Sequence, residues 1–148
     1  MNKKYVILGF MLLILGAISL LGVHKSNIIK EDVPLKNVIV ETVEKSNEID
    51  FAKITNFEWD TMYVFTPYSN PKEILKKDGI STYNSNFSIE VIDTINMIGF
   101  IKSNKLVAFV ELPRKYGGVD LTNFIKFSKE ESKFSILLDE KTIIFKKN

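Results

Sequence analysis

The spacing of hydrophobic positions divides the chain into segments of different character. Residues 5–23 form an uncharged run rich in Leu and Ile, preceded by Lys3 and Lys4. As a helix, this stretch reaches about 28 Å, close to the hydrocarbon thickness of a bilayer. From Pro34 a different pattern begins. Leu35, Ile39 and Val43 recur at i, i+4 with Val38 beside them, while Lys36, Glu41, Glu44 and Lys45 fall between. This spacing predicts an amphipathic helix. The β-branched run across 38–43, broken only by Glu41, keeps a strand open as the alternative. Residues 49–57 then lead into the first strand of a core. Residues 60–66 are β-rich, and 62–65 are apolar on both faces, as expected of a strand covered on both sides.

Pro67 ends that strand, and a capped helix follows. Asn70 suits the N-cap, Pro71 the first helical position, and Glu73 the third position, from which it can reach back to the cap. Lys76 and Lys77 suit the negative C-terminal dipole, and Gly79 suits the residue past the end. Phe87, Ile89 and Val91 alternate with polar neighbours and predict a strand with one wet face; Ile92 breaks the alternation. Segments 95–101 and 106–112 flank Ser103-Asn104 as a hairpin. Residues 114–120 read as a loop and 124–127 as a short strand. Segments 134–138 and 142–145 read as a final hairpin. The order points to an α+β domain with a mainly antiparallel sheet and one or two helices. The predicted organisation is a cytoplasmic N-terminus at 1–4, a transmembrane anchor at 5–23, a linker at 24–33 and an extracytoplasmic domain at 34–148.

The anchor competes with a cleaved signal peptide, which would leave a secreted protein. Ala17-Ile18-Ser19 satisfies the small-residue rule for cleavage but would leave Leu20, Leu21 and Val23 at the new terminus. An uncleaved single-pass anchor is the preferred expectation, with the positive N-terminus inside the cell membrane and the remainder outside. A buried soluble helix is disfavoured, because nothing downstream has enough apolar surface to enclose it. Gly16, Ala17 and Gly22 form no strict G-x-x-x-G, so helix pairing has little support.

Composition narrows the function classes. Of 148 residues none is cysteine, which removes disulfides, thiolate chemistry and a lipid-bearing cysteine. The single histidine, His24, lies beside the hydrophobic run, so the domain has no histidine-based triad or multi-histidine metal site. From Asp50 onward 14 basic side chains face 13 acidic ones, interleaved, and Arg114 is the sole arginine. A nucleic-acid partner is therefore not expected. Neither is a cofactor or a metal: no P-loop, dinucleotide fingerprint or calcium loop is present.

The aromatic-rich stretch from Phe57 supplies three of four candidate binding residues, Trp59, Tyr63 and Tyr68. Such rings form stacking surfaces or partner hot spots, although filling the core of a small domain is the preferred account of them. The string Phe57-x-Trp59-Asp60-x-x-Tyr63-x-Phe65-x-Pro67-Tyr68 resembles a signature of small bacterial membrane-anchored proteins and lipoproteins. The similarity spans residues 49 to about 74. It implies an extracytoplasmic setting and no particular activity, and the lipid-bearing cysteine of the lipoprotein members is missing. The fourth candidate is Arg114, ahead of Tyr116-Gly117-Gly118, where glycines let a ligand approach and a guanidinium can clamp an anion. The simpler account is a turn needing positive φ, with Arg114 paired to Asp120.

Glu58, Asp60, Glu90, Asp93 and Glu111 could supply acid–base chemistry, but their spacing does not demand it. His24, Lys25 and Lys30 could touch anionic headgroups, or simply end the hydrophobic helix. The leading expectation is a non-enzymatic, membrane-tethered binding module. Its partner would be an envelope protein, a peptide or a wall component, with membrane lipid held through 5–23. A carboxylate-dependent enzyme using acids near Arg114 is the alternative. A structural subunit associating through the apolar segment is a third reading.

Overall fold

A computed structural model describes residues 28–82, 85–118 and 124–146. The sequence leaves helix and strand open for residues 38–43, and the structure adopts the helix. Helix α1 spans Val33–Lys45, where Asp32 caps it by accepting the Leu35 N–H and Pro34 sits in its first turn. Leu35, Ile39 and Val43 are buried on one side. A short strand β1 (Glu48–Asp50) and a single helical turn α2 (Phe51–Ile54) follow, so segment 49–57 only begins as a strand. The Asp50 carboxylate accepts the Ala52 N–H and starts that turn.

Strand β2 (Thr61–Phe65) is the second strand of a four-stranded antiparallel sheet. It pairs with β3 (Ile95–Lys102) on one side and β6 (Phe124–Ser128) on the other, and β4 (Lys105–Pro113) completes the order β4-β3-β2-β6. Successive β2 side chains point to opposite faces. Met62 and Val64 join a core with α1, Trp59, Phe100 and Val110, and Tyr63 and Phe65 join a second core with Leu75, Phe87 and Ile89. The apolar run therefore lies in a strand covered on both faces. Helix α3 (Pro71–Lys77) covers the second face, with Asn70 accepting the Glu73 N–H and Gly79 in the left-handed region at φ 74°.

A smaller sheet has the order β1-β7-β8-β5, with β5 at Gly117–Gly118, β7 at Lys133–Leu137 and β8 at Thr142–Ile144. Its pairs are antiparallel except β5 with β8. Phe134 and Ile136 alternate with exposed neighbours, and the inward side chains pack on the first core. The domain is thus α+β with mainly antiparallel sheets and few helices.

Two local outcomes differ from the sequence reading. Residues 87–91 form no strand: Ser88–Glu90 is a 3₁₀ turn. The Glu111 carboxylate accepts the Ser88 and Ile89 N–H groups, so they have no strand partner. The glycine pair at 117–118 does not serve a positive-φ turn either. Gly117 is extended at φ −160°, and an added Cβ would lie 2.7 Å from the Phe145 ring, so glycine is there for close packing.

Between Phe100 and Ile101 the register shifts, so that Ile101 faces Leu106, Phe100 faces Ala108 and Val107 is the extra residue of a bulge. The bulge turns Leu106 into the second core while Ala108 faces the first. The outer edge of β4 is covered. Asp32 N–H donates to the Phe109 carbonyl at 2.8 Å, and Glu111 N–H donates to Glu31 Oε1 at 3.0 Å. Nearer the hairpin, Leu106 N–H donates to the Ser81 carbonyl at 2.9 Å.

Among the described residues no helix is long and apolar enough to cross a membrane; the expected anchor at 5–23 lies outside them.

Candidate functional site

The register of the large sheet defines two ends. At one, Ser103 and Asn104 turn β3 into β4, with φ of 48° and 60°. At the other, Phe65 ends β2, Ile95 starts β3, Pro113 ends β4 and Phe124 starts β6. The four sequence candidates divide between the core and this second end.

Trp59 is buried, 1% exposed. Its indole N–H donates to Thr55 Oγ1 at 2.9 Å, and its ring meets Phe100 edge-on at 5.3 Å. Tyr63 is also buried. Its hydroxyl donates to Asp78 Oδ2 at 2.5 Å, and Lys126 Nζ reaches the same oxygen at 3.3 Å. Burial, then the Asp78 carboxylate, raises the Tyr63 pKa well above its ordinary value, and the Tyr63 hydroxyl holds Asp78 below its own. A cleft of about 390 Å³ opens here, lined by Thr61, Asn104 and Lys126 among others.

Tyr68 has a different setting. It sits in the turn after β2 with φ 62°, a conformation unfavourable for an aromatic L-residue, and its side chain is 67% exposed. Its backbone N–H donates to the Ile89 carbonyl at 3.0 Å, and Ser69 closes the turn by donating to the Thr66 carbonyl. That bond to Ile89 ties the Tyr68 turn to the 3₁₀ turn. Val91 and Ile92 leave the 3₁₀ turn 78% and 38% exposed. Arg114 reaches the same end, its N–H bonded to the Thr94 carbonyl at 2.8 Å. Its side chain is exposed and has no ion pair among the described residues; its expected partner Asp120 lies outside them. The structure therefore brings Tyr68 and Arg114 to one rim and leaves Trp59 and Tyr63 inside.

Val91 and Ile92 escaped the sequence reading as site residues. The available signal was two consecutive apolar residues between Glu90 and Asp93-Thr94, where the alternation fails.

The carboxylates divide between the two ends of the large sheet, Glu58 and Asp60 toward the hairpin and Glu90, Asp93 and Glu111 toward the rim. At the rim, Glu90 Oε1 is buried with no hydrogen-bond partner among the described residues. Asp60 accepts Lys102 Nζ at 2.7 Å and the Ser103 N–H at 3.0 Å, at the hairpin end. Both partners, Lys102 first, lower its pKa. Glu111 caps the 3₁₀ turn, while Glu58 and Asp93 are exposed. Clefts of about 600 and 610 Å³ border the small sheet, and Arg114 lines neither. No group of three or more His, Cys, Asp or Glu among the described residues is placed to hold a metal ion.

No family model, no curated protein and no solved structure matches this chain.

Proposed function

We propose that this chain is a membrane-tethered, extracytoplasmic binding domain, non-enzymatic, and that its binding surface is the rim formed by Tyr68, Val91, Ile92 and Arg114. One observation carries the reading: a bulky aromatic side chain is held outward by an unfavourable backbone conformation, beside two exposed aliphatic residues. Backbone strain of this kind costs about 1–3 kcal/mol and persists where the surroundings enforce it, often at ligand-contacting sites. Clustered exposed apolar residues mark protein or membrane interaction sites and ligand-binding grooves. The uncharged run 5–23 and the resemblance of 57–68 to membrane-anchored proteins support the tether and the setting. The carboxylate-enzyme alternative requires two acids and Arg114 around one cleft, and Arg114 lines none of the clefts above.

The test places a photo-crosslinking side chain at position 68 of the full chain in its native membranes. It should give an adduct that Val91→Asp abolishes and that the same probe at Ser103 does not form. Equal labelling at the two positions would overturn the reading.

A further inference from the structure

The rim lies where the chain enters the domain. Asp32 bonds to Phe109, and Glu31 bonds to Glu111, two residues further along β4. Followed backwards from Asp32, the chain therefore runs toward the Pro113 end of β4. Ile29 packs into the core that holds Ile89, and Ile28 beyond it is 49% exposed. The entry point, the Tyr68 turn, Val91, Ile92 and Arg114 thus share one end of the large sheet.

The connecting chain is short. Only residues 24–27 separate the run 5–23 from Ile28, and five Cα steps span at most about 17 Å. A bilayer is about 30 Å thick in its hydrocarbon core and about 40–45 Å with headgroups, so each headgroup layer takes about 6 Å of that reach. Roughly 10 Å remains, about the diameter of one helix with its side chains. The entry end of the domain therefore stays within about 10 Å of the headgroup surface.

We infer that the occupant of the rim is the outer leaflet of the bilayer itself, with Tyr68, Val91, Ile92 and Ile28 seated among the lipid headgroups. This deepens the reading of the rim as a binding surface and rests on residues 5–23 serving as the anchor. The chemistry fits. Tyrosine is favoured at the membrane–water interface because its ring is apolar and its hydroxyl polar. Lys30, Arg114 and Lys115 are exposed at or next to this end and suit anionic headgroups; Asp93 opposes them, so apolar contact supplies most of the attraction.

The absence of cysteine makes the test direct. The full-length chain carrying Val91→Cys, labelled with an environment-sensitive fluorophore, is reconstituted into vesicles of phosphatidylcholine and phosphatidylglycerol. Ser103→Cys at the hairpin end and Leu138→Cys beside the small sheet serve as references. Emission from position 91 should shift to the blue and be quenched by a lipid-borne quencher, with the two references unaffected. A probe at Tyr68→Cys should behave like position 91 and return to water-like emission when Val91→Asp is added. Unchanged Trp59 fluorescence in each variant establishes that the fold is intact. A chain that stays with the vesicles but shows water-like emission at 91 overturns the lipid assignment; the crosslinking result at position 68 would still stand. A chain that washes off the vesicles removes the anchor, and this inference with it.

Discussion

The two ends of the large sheet handle their side chains in opposite ways. At the hairpin end the polar groups are consumed. Asp60 joins Lys102 to the Ser103 backbone, its own N–H donates to the Ile101 carbonyl, and its carbonyl accepts the Lys129 N–H. Toward the same end Asp78 draws in Tyr63 and Lys126. At the entry rim, Tyr68, Val91 and Ile92 face outward, with an exposed Arg114 at the same end. Trp59 and Tyr68, nine positions apart in one aromatic stretch, show the difference most clearly: one is enclosed and the other is displayed. Residue type does not distinguish a core aromatic from a contact aromatic; its position relative to the strand end does.

The largest expected effect sets these two aromatics against each other. Trp59→Ala should cost about 3–5 kcal/mol of stability in a urea titration. Tyr68→Ala should stay within about 0.5 kcal/mol. Comparable losses would erase the distinction between the two positions.

Next comes the hydrogen-bonded trio at Tyr63. Tyr63→Phe should cost about 1.5 kcal/mol, the scale of a hydrogen bond to a charged group. It should also change the pH profile of thermal stability. The folded Asp78 pKa lies below 3.8, so its contribution is complete above pH 3.8 and fades as the pH falls below it. The folded Tyr63 pKa lies above 10.0, so its contribution is complete below pH 10.0 and fades as the pH climbs past it. The phenylalanine variant should flatten both limbs, and a profile unchanged on either side would show that the trio is not the source.

Asn70→Ala removes the cap of α3, the helix that leads from the rim back toward the hairpin end. A loss of about 1 kcal/mol is expected, checked by the shift of the urea midpoint at constant slope. The smallest effect has the opposite sign. Tyr68→Gly relieves the positive φ and should raise stability by about 0.5 kcal/mol while abolishing the rim's binding signal. Gain in one measurement with loss in the other would separate strain kept for contact from strain that merely accompanies the turn.

Much of the architecture was legible because its signals are local. Asn70, Pro71 and Gly79 mark α3 within a few residues, and Ser103-Asn104 mark the hairpin between two apolar runs. Where the deciding partner is distant, the sequence misled. Phe87, Ile89 and Val91 alternate as a strand would, yet the Glu111 carboxylate lies far along the chain and takes the N–H groups of Ser88 and Ile89. The rim suffers from the same limit. Tyr68 could be named from its neighbours, but its companionship with Val91 and Arg114 is made by backbone bonds to Ile89 and Thr94 that no spacing announces.

The small sheet has a consequence for how this polypeptide matures. Among the described residues strand β1 pairs only with β7, where Ile49 faces Phe134. In order of synthesis, β1 appears early and must wait for residues 133–137 before Ile49 gains its strand partner, whereas α1 can already pack against β4. Such distant pairing slows acquisition of the native state and lengthens the interval in which sticky surface is on show. A nascent chain halted before residue 133 would lack β7 and β8, and with them the lid of its main core.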